Sequence, residues 1–191
     1  MADASLRHPT VSSEAEQLIL VDADDRAVGY ASKAAAHDGR GQRHRAFSLF
    51  VFNGHGELLL QQRSGGKRLW PGYWANSCCS HPRQGESMAQ ATERRLQQEL
   101  GMRCPLRYLF KFEYQADYRG LGAEHELCWV YAGTCTQPVR ANPTEVAAWR
   151  FVTPAALDRE IASCPERFTP WLKLEWARLR QDPTLPAWAD G

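Results

Sequence analysis

The stretch Ser80-His81-Pro82-Arg83-Gln84-Gly85-Glu86-Ser87-Met88-Ala89-Gln90-Ala91-Thr92-Glu93-Arg94-Arg95-Leu96-Gln97-Gln98-Glu99-Leu100-Gly101-Met102 decides how the rest of this chain is read. Ser87 followed three residues later by Gln90 is a capping-box pattern, in which each side chain satisfies the other's backbone N–H. It predicts a helix running to Leu100, with Gly101 as the residue that can turn left-handed and end it. Arg94, Arg95 and Glu99 carry charge on that helix, and Glu86 lies just before it. The plain alternative is a solvated surface helix with an Arg95–Glu99 pair at i,i+4, worth only about 0.3–0.5 kcal/mol.

Upstream, Gln17–Asp22 and Arg26–Ala31 read as two strands across an Asp24-Asp25 turn, and Lys33–His37 as a short helical turn. Ala46–Phe52 is a strongly apolar strand. Asn53-Gly54-His55-Gly56 carries turn chemistry, and Glu57–Gln62 is expected as its hairpin partner. Downstream, Leu106, Tyr108, Phe110, Phe112 and Tyr114 alternate with other residues, and Leu127, Trp129 and Tyr131 repeat that period. Ala148–Val152 reads as a short strand and Pro154–Ile161 as a helix opening on proline. Phe168, Trp171, Leu172, Trp176 and Leu179 fall at helical spacing. The sum is an α/β or α+β domain with several hairpins and few helices. Residues 1–15 read as a flexible N-terminal tail, 16–182 as a single domain and 183–191 as a C-terminal tail.

At 191 residues the chain is long enough to bury one core, and its seven Trp argue for a packed globule. A net charge of +1 supplies no broad field for nucleic acid or an acidic membrane surface. No apolar run approaches the roughly 20 residues of a membrane helix. The six cysteines form no Cys-x-x-Cys pair, so a structural zinc knuckle is unsupported. Reduced thiols and a cytoplasmic location are the expectation.

Candidates for chemistry cluster near two tracts, Trp70–Pro82 and Glu124–Cys128. Glu124 and Glu126 would share one face of a strand, where two carboxylates repel unless a cation or proton intervenes. With His37, His44 and His81 they offer a mixed nitrogen and oxygen donor set suited to zinc, manganese or iron. Each of these residues alone is more simply a solvated or structural one. Cys78 and Cys79 are neighbours and would face opposite ways in a strand; which of them meets a site is open at this point. Lys33, Arg63, Lys67 and Arg95 are cations of the kind that grip phosphate oxygens, though a solvated surface role is the default for each.

These residues carry two resemblances. Ser80-x5-Glu86-x7-Arg94-Arg95-Leu96-x-Gln98-Glu99-x-Gly101-Met102 resembles the Nudix box, a helix whose carboxylates hold magnesium against a diphosphate. Ser80 stands where the box has Gly, and Arg95 and Gln98 where it has Glu, which disfavours metal-activated hydrolysis. More widely, from about Gln17 to Trp176, the chain resembles the type 1 isopentenyl-diphosphate isomerases, the Nudix-fold and flavin-independent branch. The carriers are Ala35-Ala36-His37, Arg43-His44-Arg45-Ala46-Phe47-Ser48, Trp70-Pro71-Gly72-x-Trp74, Asn76-Ser77-x-Cys79-x-His81-Pro82, Gly85-Glu86-Ser87, Arg94-Arg95, Glu99-Leu100-Gly101, Glu124-x-Glu126 and Pro170-Trp171.

That resemblance implies a Nudix-like mixed sheet sandwiched by helices, and interconversion of isopentenyl and dimethylallyl diphosphate in isoprenoid biosynthesis. It implies Cys79 and Glu126 as the acid/base pair, Tyr114 as the helper of Glu126, and Trp171 as the aromatic facing a cationic centre. It further implies Lys33, Arg63, Lys67 and Arg95 around the diphosphate. His37, His44, His81, Glu124 and Glu126 would hold one divalent metal, Mn2+ or Zn2+, and Glu99 would meet a diphosphate-bridging Mg2+. No flavin, nucleic acid or membrane is implied, and a monomer or weak homodimer is expected. The rivals are a Nudix hydrolase of a nucleoside diphosphate derivative and a non-catalytic binding module on the same scaffold.

Overall fold

Strand β3, His44–Phe52, is the hub of the molecule. It is buried along nearly its whole length, which its unbroken apolar run demands of a strand covered on both faces. The computed structural model describes residues 10–181; positions 1–9 and 182–191, and with them the expected tail at 183–191, lie outside the described residues. Around β3 the chain sets β1 Gln17–Val21, β2 Ala27–Ser32, α1 Lys33–Ala36, β4 Leu58–Arg63, β5 Trp74–Ala75 and β6 Cys78–Ser80. These are followed by α2 Met88–Leu100, β7 Arg107–Asp117, β8 Ala123–Thr134, β9 Val146–Val152, α3 Pro154–Ser163 and α4 Pro170–Leu179.

One edge of β3 pairs in parallel with β8 over nine residues, His44↔Glu126 through Phe52↔Thr134. Its other edge is shared in succession by β1 at His44, β6 at Phe47–Leu49 and β4 at Phe52. The expected β3–β4 hairpin therefore exists only at its turn, with the single pair Phe52↔Leu58. Beyond it β4 diverges to pair with β9 and β5. Ser77 holds that divergence open. Its Oγ donates to the Leu59 carbonyl at 2.6 Å and accepts the Val51 N–H at 2.8 Å, so the backbone groups lost to the ladder stay satisfied.

The two faces of β3 then divide the core. Phe47, Leu49 and Val51 pack with Leu96, Leu100 and Met102 of α2 and its exit. Phe50 and Phe52 pack with Leu157 of α3 and Leu172, Trp176 and Leu179 of α4. The result is the expected mixed sheet between helices. Helix α2 begins and ends where the sequence places it: Ser87 and Gln90 form both bonds of the capping box, and Gly101 is left-handed at φ 65°. The helix is no surface element, however, because Arg95 and Glu99 are each only 2 % exposed.

Two glycines fix where loops press on the sheet. A Cβ on Gly133 would stand 2.4 Å from the Pro105 carbonyl, and one on Gly122 (φ +147°) would stand 2.5 Å from the His37 carbonyl. Gly133→Ala is therefore expected to lower the urea midpoint, costing about 1–3 kcal/mol. Gly54→Ala, whose nearest neighbour would be at an ordinary 3.7 Å, serves as the control. An unchanged midpoint in Gly133→Ala would show that the Pro105 loop yields.

Candidate active site

Strand register assembles the site. His44 on β3 is the parallel partner of Glu126 on β8, and Glu126 is the antiparallel partner of Tyr114 on β7. Side chains in such a row share one face of the sheet. Glu124 lies two residues before Glu126 on that face, as the period-two reading expects. His37 arrives from the end of α1, where its backbone carbonyl accepts the Ala123 N–H at 3.0 Å and fixes the loop to the start of β8. His81 follows β6.

The five side chains converge. One ligand atom from each of His37, His44, His81, Glu124 and Glu126 lies within 4.8 Å of all the others. Glu124 Oε2 is 2.7 Å from His37 Nε2, and Glu126 Oε1 is 3.0 Å from His81 Nε2 and 3.7 Å from His44 Nε2. Two rings are oriented from behind: the Nδ1 atoms of His37 and His44 each lie 2.7 Å from a backbone carbonyl, those of Lys33 and Gln42. That contact makes Nδ1 the donor to the backbone and turns Nε2 inward, the arrangement that metal-binding imidazoles use. His44 Nε2 and Glu124 Oε2 are buried without a hydrogen bond; the 2.7 Å approach to His37 is close but misaligned. Buried donors of this kind, left unsatisfied by the protein, fit a divalent cation.

Electrostatics follow from that crowding. Burial works against a charged His37, but the Glu124 charge outweighs it and raises the imidazole to about 8. Burial, aided by His44 and His37, drives His81 well below its usual range. Glu126 is lowered although burial opposes it, because His44 and the Tyr114 hydroxyl stabilise its charge. Its two oxygens have separate duties: Oε1 faces the imidazoles, while Oε2 accepts the Tyr114 O–H at 2.8 Å.

A cavity of about 240 Å³ opens beside this cluster. Lys33, His37, Arg63, Lys67, Cys79, His81, Arg95, Tyr114, Glu124, Glu126 and Trp171 all border it. Of the anticipated residues, His44 sits fully buried behind the wall, and Glu99 does not reach the cavity. Glu99 is ion-paired with Arg95, and its other oxygen accepts from Gln61 Nε2 at 3.3 Å. Strand β6 turns the two cysteines opposite ways: Cys78 packs into the α2 core, whereas Cys79, the one the resemblance implies, lines the cavity. Burial pushes the Cys79 thiol up to about 12 against the opposing charge of Arg63, whose Nη1 lies 3.9 Å from its sulfur. Arg63 is itself gripped by the carbonyls of Leu69 and Trp70, where the chain turns through left-handed Trp70 (φ 48°). Trp171, second residue of α4, donates its Nε1–H to Asn76 Oδ1 at 3.1 Å. Asn76 in turn donates to the Leu49 and Cys78 carbonyls, so one amide fixes both the aromatic and the thiol strand.

Several neighbours escaped the sequence reading. Glu145, just before β9, is buried and ion-paired with both Lys67 and Arg95. Residues 10–15 of the segment read as a tail cross the cavity mouth. Ser12 Oγ donates to Glu145 at 3.0 Å, Arg95 donates to the Val11 carbonyl at 3.2 Å, and Glu14 lies 3.8 Å from Lys33. Burial and the nearby charge of Lys67 lower the Lys33 ammonium, the mark of cations gathered in one place. No pattern flags Glu145 or Ser12, because their partners are 50 to 133 residues away in the chain.

Comparison with known proteins follows the same lines. Residues 42–172 match the NUDIX domain. Isopentenyl-diphosphate Delta-isomerase 1 of Photorhabdus laumondii is 42% identical over 169 residues, covering 87% of this chain and 96% of its own. The Serratia proteamaculans Isopentenyl-diphosphate Delta-isomerase is 45% identical, covering 82% and 87%. That of Halorhodospira halophila is 38% identical over 92% of this chain and 99% of its own. Among solved structures, a Deinococcus radiodurans protein aligns with a TM-score of 0.71 at 24% identity, over 85% of this chain and 98% of its own. A Methanosarcina mazei MutT protein aligns at 0.58 and 16%, over 73% and 96%. At that identity the structures speak for the fold alone.

If the three imidazoles and two carboxylates act as one donor set, His44→Ala should weaken metal retention at least about tenfold. Metal content by mass spectrometry, after dialysis against graded chelator, reads this directly. Equal retention in the variant and the unmodified protein would remove His44 from the set.

Proposed function

The chain belongs to the Isopentenyl-diphosphate Delta-isomerase family within the NUDIX-domain proteins, and on that footing we propose how its own residues move the double bond between isopentenyl and dimethylallyl diphosphate. The reaction adds a proton at one carbon and removes one two carbons away, through a tertiary carbocation-like state. It needs two proton-exchanging groups facing one dry site, plus an anchor for the diphosphate. The observation that carries the reading is that Cys79 and the Tyr114–Glu126 pair border the same cavity, between a cation cradle and Trp171.

Cys79 keeps its proton at neutral pH, since burial holds the thiol up at about 12. As Cys79 gives a proton to the alkene, Glu126, whose Oε2 accepts the Tyr114 O–H at 2.8 Å, takes the proton that leaves the substrate, and the two exchange roles in the return direction. Trp171 offers its ring face to a cation; the Arg63 guanidinium already lies 5.1 Å from its centroid. Such a contact is worth about 0.5–2 kcal/mol. Trp70 at 5.3 Å and Tyr114 at 6.3 Å complete an aromatic wall around Trp171 that excludes water, which would otherwise quench the cation to an alcohol. Lys33, Lys67 and Arg95 hold the diphosphate, exchanging their internal partners Glu14 and Glu145 for phosphate oxygens. Binding energy gathered there orients the reacting carbons.

A divalent ion held by His37, His44, His81, Glu124 and Glu126 would supply positive charge that stabilises the Glu126 carboxylate. Manganese and zinc both suit that donor set. Glu99 stands behind Arg95 and would meet a diphosphate-borne magnesium only by giving up that ion pair. The chemistry calls for no flavin. The described residues include no helix long and apolar enough to cross a membrane, and a cytoplasmic enzyme acting alone or as a weak dimer is the reading we adopt.

Proton NMR in deuterated water with isopentenyl diphosphate tests this. The metal-replete protein should produce dimethylallyl signals with deuterium incorporation. Cys79→Ala and Glu126→Gln should each lose at least about a thousandfold in kcat while still binding the diphosphate, and Cys78→Ala should stay folded as a packing control. Full turnover in Cys79→Ala would remove that thiol from the mechanism. Phosphate release with no alkene migration would favour the hydrolase rival.

A further inference from the structure

Helix α4 turns one face inward, made of Trp171, Leu172, Glu175, Trp176 and Leu179. Four of these are the apolar residues that helical spacing requires, and the fifth is a carboxylic acid with no exposed surface. A buried acid in mid-core needs partners or must be neutral. Glu175 Oε1 lies 3.5 Å from Cys128 Sγ, and Cys128 Sγ lies 3.5 Å from Ser48 Oγ. Its other oxygen, Oε2, is buried without a hydrogen bond.

The position of this trio is informative. Ser48 is the cross-strand partner of Cys79. Cys128 follows Glu126 by two residues on the same face of β8 and packs in one cluster with Tyr114 and Trp171. Glu175 lies one helical turn after Trp171. Each member of the trio thus neighbours one of the three groups assigned to the chemistry, and together they link β3, β8 and α4. We propose that Glu175 is a positioning residue of the active site, acting as the neutral carboxylic acid that locks Trp171 to the strands bearing Cys79 and Glu126. The inference rests on the isomerase reading above, and nothing in that mechanism already uses Glu175.

The surroundings support the neutral form. The titratable groups toward Glu175 are Cys128 and, beyond it, Glu126 on β8; β3 presents the hydroxyl of Ser48, and Tyr114 of β7 is engaged with Glu126. The cations of α4 and its C-cap are turned elsewhere. Lys173 donates to the Pro165 carbonyl, Arg178 lies 4.0 Å over the Phe110 ring, and Arg180 meets Asp158 of α3. Burial pushes Glu175 to about 8, with Ser48 and Cys128 opposing and Glu126 adding to the rise. Ionisation would place an uncompensated charge in the core and disturb the trio.

Two readouts test this. Glutamine keeps the shape and hydrogen bonding of the neutral acid, so Glu175→Gln should hold kcat within about threefold of the wild type at neutral pH, whereas Glu175→Leu should lower kcat at least about tenfold with KM little changed. The wild-type kcat should fall above about pH 8, and Glu175→Gln should lack that decline. The second readout needs no turnover. A carboxyl protonated in the folded chain up to about 8, but ionised in the unfolded chain above 4.5, favours the fold below 4.5 and loses that contribution as pH rises to about 8. The Tm of the wild type relative to Glu175→Gln should therefore drop across that window. Parallel Tm curves would overturn the neutral acid, and wild-type kcat in a folded Glu175→Leu would overturn the positioning role. A wild type that melts as expected but does not isomerise isopentenyl diphosphate would instead sink the reaction on which the inference rests.

Discussion

The nine-residue parallel pairing of β3 with β8 is the constraint on which the rest of the molecule depends. Parallel strands have no tight turn to fix their register, so the hydrophobic faces must do it. Here Phe47, Leu49 and Val51 must meet α2 while Phe50 and Phe52 meet α3 and α4. A slip of one residue would exchange those faces and turn His44 away from Glu126. The same register that buries the core therefore sets the spacing of the imidazoles and carboxylates, and stability and site geometry rest on one set of contacts.

Charge is handled differently on the two sides of the cavity. On one side, carboxylates and imidazoles are brought together with buried donor atoms left over, a set that suits a divalent cation. On the cationic side the chain neutralises itself, with Arg95 shared by Glu99 and Glu145, Lys67 paired to Glu145, and Lys33 near Glu14. Unpaired cations at such depth would cost several kcal/mol each. Internal carboxylates hold them in place, and in the function proposed above phosphate oxygens take over from them. Arg95, where the helix motif would carry a carboxylate, converts what could have been another metal ligand into the centre of this exchangeable network.

Much of the fold was legible because it is local. The capping box and Gly101 bound α2 to the residue, since the bonds that start and stop a helix lie within four positions of its ends. The apolar run of β3 and the alternation in β7 and β8 announced buried and half-buried strands for the same reason. The β3–β4 hairpin was anticipated from its turn, yet only one residue pair survives. Its longer continuation was displaced by β6 on the shared edge of β3 and by β5 along β4, pairings that the turn residues do not announce. Arg95 and Glu99 looked like a surface pair because helical spacing says nothing about which residues a distant loop will cover.

By itself the sequence determined the element types, the family and the identity of the chemical groups, because these depend on residue type, short-range spacing and a motif of fixed order. The tertiary structure alone decided that Glu145 and Ser12 close the cation network and that an acid lies close to Trp171 in contact with Cys128. Those are facts about burial and about contacts between segments up to 133 residues apart. A carboxylate's protonation and partners follow from the dielectric and the neighbours that the folded chain supplies, and the residue's place in the linear chain encodes neither.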